Sequence, residues 1–218
     1  MGTITRSLSN NITTGGVILP AGITNATVAN ITSFPNASGG TLMLLSTQTA
    51  SNSATISFTT GLNSTYDEYQ FKFIDIHPRS DGVTFQFNLS TDSGSNYNVT
   101  KTSSSFEAYN NEAGTSQGLA YDTGRDLANS TSDQPLGVPI GNGADESLNG
   151  SMILFNPSST TYVKHFIIDT NGYKTNDECV RLFIAGYGST TSACNAIRFQ
   201  MSSGNFDGDI KLYGVKKS

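Results

Sequence analysis

The chain has 218 residues, of which only 13% are charged, about half the ~25% that is usual for a soluble domain. Its 12 basic and 17 acidic side chains give a formal charge of −5, which argues against a surface built to bind nucleic acid. No apolar run approaches the ~18 residues of a membrane span, and residues 1–6 lack the apolar core of a signal peptide. We therefore expect neither membrane insertion nor signal-peptide secretion.

The first forty residues differ from the rest, because Arg6 is the only charged side chain before Asp67. Residues 10–22 suggest extended backbone with Gly and Pro breaks, and the apolar side chains of residues 23–32 follow no regular period. An uncharged, moderately apolar segment is a poor solvated tail. We predict an extended N-terminal arm over residues 1–40 that serves assembly; a mobile terminus is the alternative.

From residue 41 onward, short alternating segments are separated by turns. The clearest examples are residues 68–76 and 83–90, which the Asp81-Gly82 turn predicts to be antiparallel neighbours. Residues 102–150 are polar and loop-rich, with short strand candidates at residues 105–109 and 118–121. Further strands are predicted at residues 41–46, 54–59, 151–155, 162–169, 180–185, 196–201 and 209–215.

About ten short strands, without an amphipathic helix of three turns, predict an all-β fold. We expect an antiparallel two-sheet β-sandwich of the jelly-roll kind over residues 41–218, with a closed barrel as the alternative. The side chains expected to form its core are Phe71, Phe73, Phe85, Phe87, Ile153, Phe166, Phe199 and Leu212.

The sequence contains no nucleophile motif and no Gly-rich phosphate loop, and its carboxylates lie mostly at turns, where they commonly bind their own backbone. We predict that the protein is not an enzyme and has no cofactor, although the two carboxylates of a polysaccharide depolymerase would leave no motif. Cys179 and Cys194 are interpreted as buried, reduced thiols, with a disulfide as the alternative.

Two oxygen-rich loops, residues 92–96 and 205–209, could accept Ca²⁺, but ordinary turns are the favoured interpretation and no metal site is predicted. His165 stands alone on a predicted strand. We interpret it as a hydrogen-bonded structural group.

Several strand and turn segments resemble a module of virion proteins from tailed bacteriophages, especially phages of marine cyanobacteria and other ocean bacteria. They are YQFKFIDIHP (residues 69–78), the Asp81-Gly82 turn, residues 85–94, 154–159, 186–190 and 197–205, and the ending GDIKLYGV (residues 208–215). The resemblance implies a virion protein made in the host cytoplasm without a signal peptide. Its motifs concern packing and turns, so they imply no binding residues.

Within that setting we expect a surface appendage component, a tail fibre or spike, whose sandwich serves host-surface attachment. The alternative is a capsid decoration or cement protein whose N-terminal arm runs across the head lattice. Either suits a homotrimer, because three sandwiches around an axis can bury exposed strand faces. The expected partners are other copies of the chain, other virion proteins through the arm and, for the appendage, a host surface glycan.

Glycan contacts are expected from residues 102–150, since rigid β scaffolds usually carry recognition on long loops. Two tyrosines there would supply stacking surfaces beside planar hydrogen-bonding groups. The candidate contact residues are Tyr109, Asn110, Asn111, Tyr121, Asp122 and Arg125.

Overall fold

The computed structural model describes residues 12–13, 16–17 and 42–215 of a chain that divides into two units, Met1–Gly39 and Gly40–Ser218. In the first unit, β1 (Ile12–Thr13) and β2 (Gly16–Val17) pair as a two-stranded antiparallel ladder. Most of the predicted arm lies outside the described residues, so its role in assembly stays a prediction.

The described part of the second unit consists of strands and their connections, without a helix in residues 42–215. The strands are β3 (Leu42–Ser53), β4 (Thr55–Phe58), β5 (Glu68–Pro78), β6 (Phe85–Ser90), β7 (Lys101–Asn111), β8 (Gln117–Tyr121), β9 (Leu127–Ser130), β10 (Gln134–Pro135), β11 (Leu148–Phe155), β12 (Lys164–Lys174), β13 (Glu178–Gly188), β14 (Ala196–Met201) and β15 (Phe206–Val215).

These strands form two antiparallel sheets. The large sheet has nine strands in the order β3-β15-β5-β11-β12-β13-β7-β8, and β9 pairs with β7 beside β8. The small sheet has four strands in the order β10-β6-β14-β4. The predicted all-β fold of two antiparallel sheets is confirmed, whereas the jelly-roll connectivity stays a prediction.

β5 and β6, predicted as antiparallel neighbours, lie in different sheets. β5 pairs with β15 and β11, and β6 pairs with β10 and β14. Gly82 has the expected positive φ, +67°, but its turn carries the chain from one sheet to the other. The pairing prediction was wrong because alternation shows which face of a strand is buried, not which strand lies beside it. Phe73 and Phe85 instead meet across the sandwich, with ring centroids 5.4 Å apart.

The core lies between the two sheets, and every predicted core residue except Ile153 is buried. Phe199 of β14 is central, with ring centroids 5.2 to 6.4 Å from those of Phe58, Phe71, Phe73, Phe85 and Phe87. Ile153 is only partly buried, because Met152 and Leu154 are the residues of β11 that face the core. The continuous apolar run of β11 hid this alternation.

Both cysteines are free thiols. Cys194 is buried, as expected, whereas Cys179 is exposed, so the prediction of two buried thiols was wrong for Cys179. Cys179 lies in β13 of the large sheet, and Cys194 lies two residues before β14 of the small sheet.

Candidate assembly face

The outer face of the large sheet, which points away from the core, carries many exposed apolar side chains. In β12, buried Phe166 and Ile168 alternate with exposed His165 and Ile167. Because strand side chains alternate between faces, the pairing register assigns the outer residues of every neighbouring strand.

Two adjacent rows of outer side chains cross the sheet from β3 to β7. The first row is Leu42, Val215, Glu68, Phe155, His165, Tyr187 and Thr102. The second row is Leu44, Tyr213, Gln70, Ile153, Ile167, Ala185 and Ser104. At ~4.8 Å between strands the rows extend roughly 29 Å across the sheet, and they occupy about 14 Å along the strands, so their area is roughly 400 Å².

An aromatic strip adjoins the two rows on β13, β7 and β8. Phe183 pairs with Phe106, and Phe106 pairs with Tyr121. The rings of Phe106 and Phe183 stack with centroids 4.9 Å apart, and the Arg181 guanidinium lies 4.4 Å from the Phe183 centroid. Leu119 of β8, 72% exposed, extends the strip to the sheet edge. We call the two rows and the strip of Phe183, Phe106, Tyr121 and Leu119 the apolar face.

An open groove of about 580 Å³ runs along the apolar face between β11, β12, β13 and β7. Its apolar wall includes Phe155, Ile167 and Tyr187, and His165 contacts the Tyr187 ring edge-on at 5.9 Å between centroids. His165 is thus an exposed member of this surface, and the expected hydrogen bond of a structural histidine is not among its contacts in residues 42–215.

A polar row borders the apolar face on the same side of the sheet. It contains Lys211, Lys72, Ser151 and Asp169, which pair across β15, β5, β11 and β12. The Asp169 carboxylate accepts hydrogen bonds from Arg181 at 2.7 and 3.0 Å, and these bonds lower the pKa of Asp169. An apolar surface with a charged rim is the usual composition of a protein–protein contact.

About half of the segment predicted to hold glycan-contact loops lies in strands. Residues 102–150 contain most of β7, all of β8, β9 and β10, and the beginning of β11, so the segment has more strand than its loop-rich interpretation predicted. The strand candidates at residues 105–109 and 118–121 lie within β7 and β8. These strands were missed because their sequence is polar and has no apolar alternation, although they pair with neighbouring strands.

Tyr109 and Tyr121 lie on opposite faces of the β7–β8 hairpin. Tyr121 pairs with Phe106 on the outer face, and Tyr109, three positions further along β7, falls on the inner face. There its ring covers Gly118, where an added Cβ would lie 2.8 Å from the Tyr109 hydroxyl. The two tyrosines therefore do not form the single stacking surface that was predicted.

The polar residues of the predicted glycan site mainly bind groups within the hairpin and the following turn. Asn111 Oδ1 accepts the backbone N–H groups of Thr115 and Ser116 at 2.9 and 3.0 Å. Asp122 forms an ion pair with Arg125, whose Nε donates to the Gly137 carbonyl at 3.1 Å. The site's polar members also include Asn110, which is exposed on the outer face. Glycan binding by these residues stays a prediction.

The carboxylates of the two oxygen-rich loops bind other groups of the protein. Asp92 accepts hydrogen bonds from the Ser90 hydroxyl at 2.7 Å and from the Asn96 backbone and side chain at 2.8 and 2.7 Å, which lower the pKa of Asp92 to about 2. Asp207 accepts the Asn52 backbone N–H at 2.8 Å and pairs with Arg79, whose hydrogen bond lowers the pKa of Asp207.

Sequence inspection missed the apolar face, although a signal for it was present. Residues 166–168 and 182–185 are continuous apolar runs, Phe-Ile-Ile and Leu-Phe-Ile-Ala, rather than alternating segments. Such a run predicts a strand with two apolar faces, one of which needs a second partner besides the core.

Among the described residues, no group of three or more His, Cys, Asp or Glu side chains could hold a metal ion. The same part of the chain has no helix long and apolar enough to cross a membrane. No protein-family model, curated protein or solved structure matches the chain.

Proposed function

We propose that this chain is a non-enzymatic structural protein of a bacteriophage virion, a component of a surface appendage such as a tail fibre or spike. In this proposal, copies of the chain associate through the apolar face, and the remaining surface is available for host attachment. The resemblance of the strand and turn segments to phage virion modules supports the setting. The apolar face is the observation that supports the assembly role.

Energetics favour a covered apolar face. The ~400 Å² footprint of the two rows also includes polar members, so at ~25 cal/mol per Å² covering it is worth at most about 10 kcal/mol on one copy, and the partner contributes a similar amount. Association costs about 4 to 15 kcal/mol in lost freedom, so contact between two such faces gains an energy of the same size as this cost. A stable interface covers about 800 Å² per partner, so the aromatic strip and the polar rim have to take part as well.

A homotrimer is the arrangement that we propose for these copies. Each sandwich would turn the apolar face of its large sheet toward the threefold axis, which closes the assembly and leaves no apolar face exposed. The Asp169–Arg181 pair at the border, with both side chains about half exposed, would then lie at the rim of the contact.

Analytical ultracentrifugation tests the assembly role. We expect the unaltered protein to sediment as a trimer and Ile167→Lys, which places a charge at the centre of the apolar face, to sediment as a monomer. Tyr162→Ser is the matched control, because Tyr162 is also an exposed large side chain, 69% accessible, but precedes β12 outside the apolar face. Typical oligomers are associated at tens of micromolar. Sedimentation of the unaltered protein as a monomer at this concentration would contradict the proposal.

Antibody labelling of phage particles tests the setting separately. Label at the tail or its fibres is the expected result, with a few dozen copies or fewer per particle. Label over the whole head would support the decoration alternative instead. Absence of label from intact particles would refute a surface virion protein while leaving self-association unaffected.

A further inference from the structure

A buried lysine and a buried asparagine meet between the two sheets. Lys101 is the first residue of β7 in the large sheet, and Asn88 belongs to β6 in the small sheet. Both are almost completely inaccessible, at 0% and 1%. The Lys101 Nζ donates to Asn88 Oδ1 at 2.6 Å and to the Val99 carbonyl at 2.7 Å.

Burial of Lys101 favours its neutral amine. Its two hydrogen-bond acceptors are uncharged, and no ion pair of Lys101 is found within residues 42–215. Desolvation lowers the pKa of Lys101 to about 8, although the negative charge of Asp133 acts in the opposite direction. At neutral pH, therefore, a minority of molecules have an unprotonated nucleophilic amine at this position.

We propose that Lys101 and Asn88 form an intramolecular isopeptide bond that joins the two sheets covalently. The lone pair of Nζ attacks Asn88 Cγ, the Cγ–Nζ amide bond forms and the Cγ–Nδ2 bond breaks. One proton of the amine passes to Nδ2, which leaves as ammonia. Atoms and electrons balance without an oxidant, a reductant or a cofactor.

The geometry around Asn88 suits this reaction. Since a C=O bond is ~1.23 Å long, an Nζ that is 2.6 Å from Oδ1 lies within about 3.8 Å of Cγ, near the ~3.5 Å of a near-attack arrangement. Oδ1 also accepts the Leu89 backbone N–H at 2.9 Å, which would stabilise the negative charge that develops on this oxygen. The Thr131 carbonyl binds Nδ2 at 3.0 Å and orients the leaving group.

A second buried lysine provides a matched comparison. Lys164 is also 0% exposed and also opens a strand of the large sheet, β12. Within residues 42–215, its Nζ donates only to main-chain carbonyls, Tyr162 at 2.6 Å and Thr190 at 3.3 Å. Because no side-chain amide of this described part accepts from it, Lys164 should remain a free amine.

Intact-mass spectrometry of the full chain tests the proposal, with samples taken after purification and after incubation at about pH 9, where the amine of Lys101 is neutral. We expect a mass one ammonia below that of the sequence, and trypsin should no longer cleave after Lys101. Lys101→Arg and Asn88→Ala should each restore the full mass. Lys164→Arg should keep the loss.

If a variant fails to fold, the mass of the unaltered protein is sufficient to test the isopeptide bond. The full sequence mass at both pH values would overturn the proposal. So would a loss of ammonia that tandem mass spectrometry places at an Asn-Gly sequence, Asn142, Asn149 or Asn171, where succinimide formation expels the same molecule. Failure of either kind would leave the proposed assembly role untouched.

Discussion

Two uncovered regions of the large sheet differ in composition. On the inner face, near the end of β12 and the start of β13, the residues are mostly polar: Glu107 and Tyr109 are partly exposed, and Lys174 forms an ion pair with the buried Glu178, 3.0 Å between Nζ and Oε2. On the outer face of the same strands, the exposed large side chains, such as Phe106 and Ile167, belong to the apolar face. The same strands therefore carry polar residues at one uncovered region and apolar residues at the other.

The comparison separates two explanations of exposed apolar surface. If large hydrophobic residues were simply tolerated on exposed strands, both regions would contain them, since isolated surface hydrophobics are common. The polar composition of the uncovered inner region shows that uncovered parts of this sheet can carry charged side chains and ion pairs. A concentration of apolar side chains on the outer face is then best explained by a partner that covers it.

The largest expected effect belongs to the small sheet, where it packs on the inner face of the large sheet. Phe199→Ala removes the ring at the centre of the aromatic cluster and should lower the free energy of unfolding by about 3 to 5 kcal/mol. Urea unfolding followed by fluorescence of the tyrosines or by circular dichroism measures it. A loss below about 1 kcal/mol would mean that the two sheets are not packed through this cluster.

A smaller effect, on self-association rather than on stability, is expected when residues on opposite sides of β7 are replaced. Phe106→Ala removes a stacked ring from the apolar face and should weaken self-association about tenfold, as for a buried aromatic residue of an interface. Tyr109→Ala, on the inner side of the same strand, should leave self-association unchanged. Concentration-dependent sedimentation compares the two variants. Equal weakening by both would remove the distinction between the two faces.

Much of the fold could be predicted from the sequence, because alternation reports burial directly. The inward phenylalanines of β5 and β6 were assigned correctly as core on that basis, but their strands were assigned to one sheet although they face each other across two. Sheet membership depends on contacts distant in the chain, which a local pattern does not contain. Ile153 was assigned to the wrong face because a continuous apolar run has no alternation to show its orientation.

The candidate sites were predicted less well than the fold. The proposed glycan residues were grouped by their proximity in sequence, and the strands of the hairpin separate Tyr109 from Tyr121. The contact between Lys101 and Asn88 could not have been predicted, because a lysine at the start of a polar segment gives no sign that its amine is buried. Buried polar pairs of this kind are a property of the packed sheets.

The smallest expected effect concerns the turn that leads from the small sheet to the large one. The Asp92 carboxylate binds Ser90 and Asn96 within that turn, and its pKa of about 2 lies below the usual ~3.9. Because the folded state favours the ionised form, the stabilisation is complete above about pH 4 and is lost as the pH falls toward 2. Asp92→Asn should therefore lower the melting temperature at about pH 5 and lose this effect near pH 2.

Thermal melts of both proteins across this pH range measure the effect, with Asp81→Asn as the control for removing an exposed turn carboxylate that accepts no hydrogen bond within residues 42–215. Titration of all other groups is common to variant and unaltered protein, so it cancels in their difference. A difference that stays constant from about pH 5 to pH 2 would show that the shape of the Asp92 side chain, and not its charge, holds the connection between the sheets.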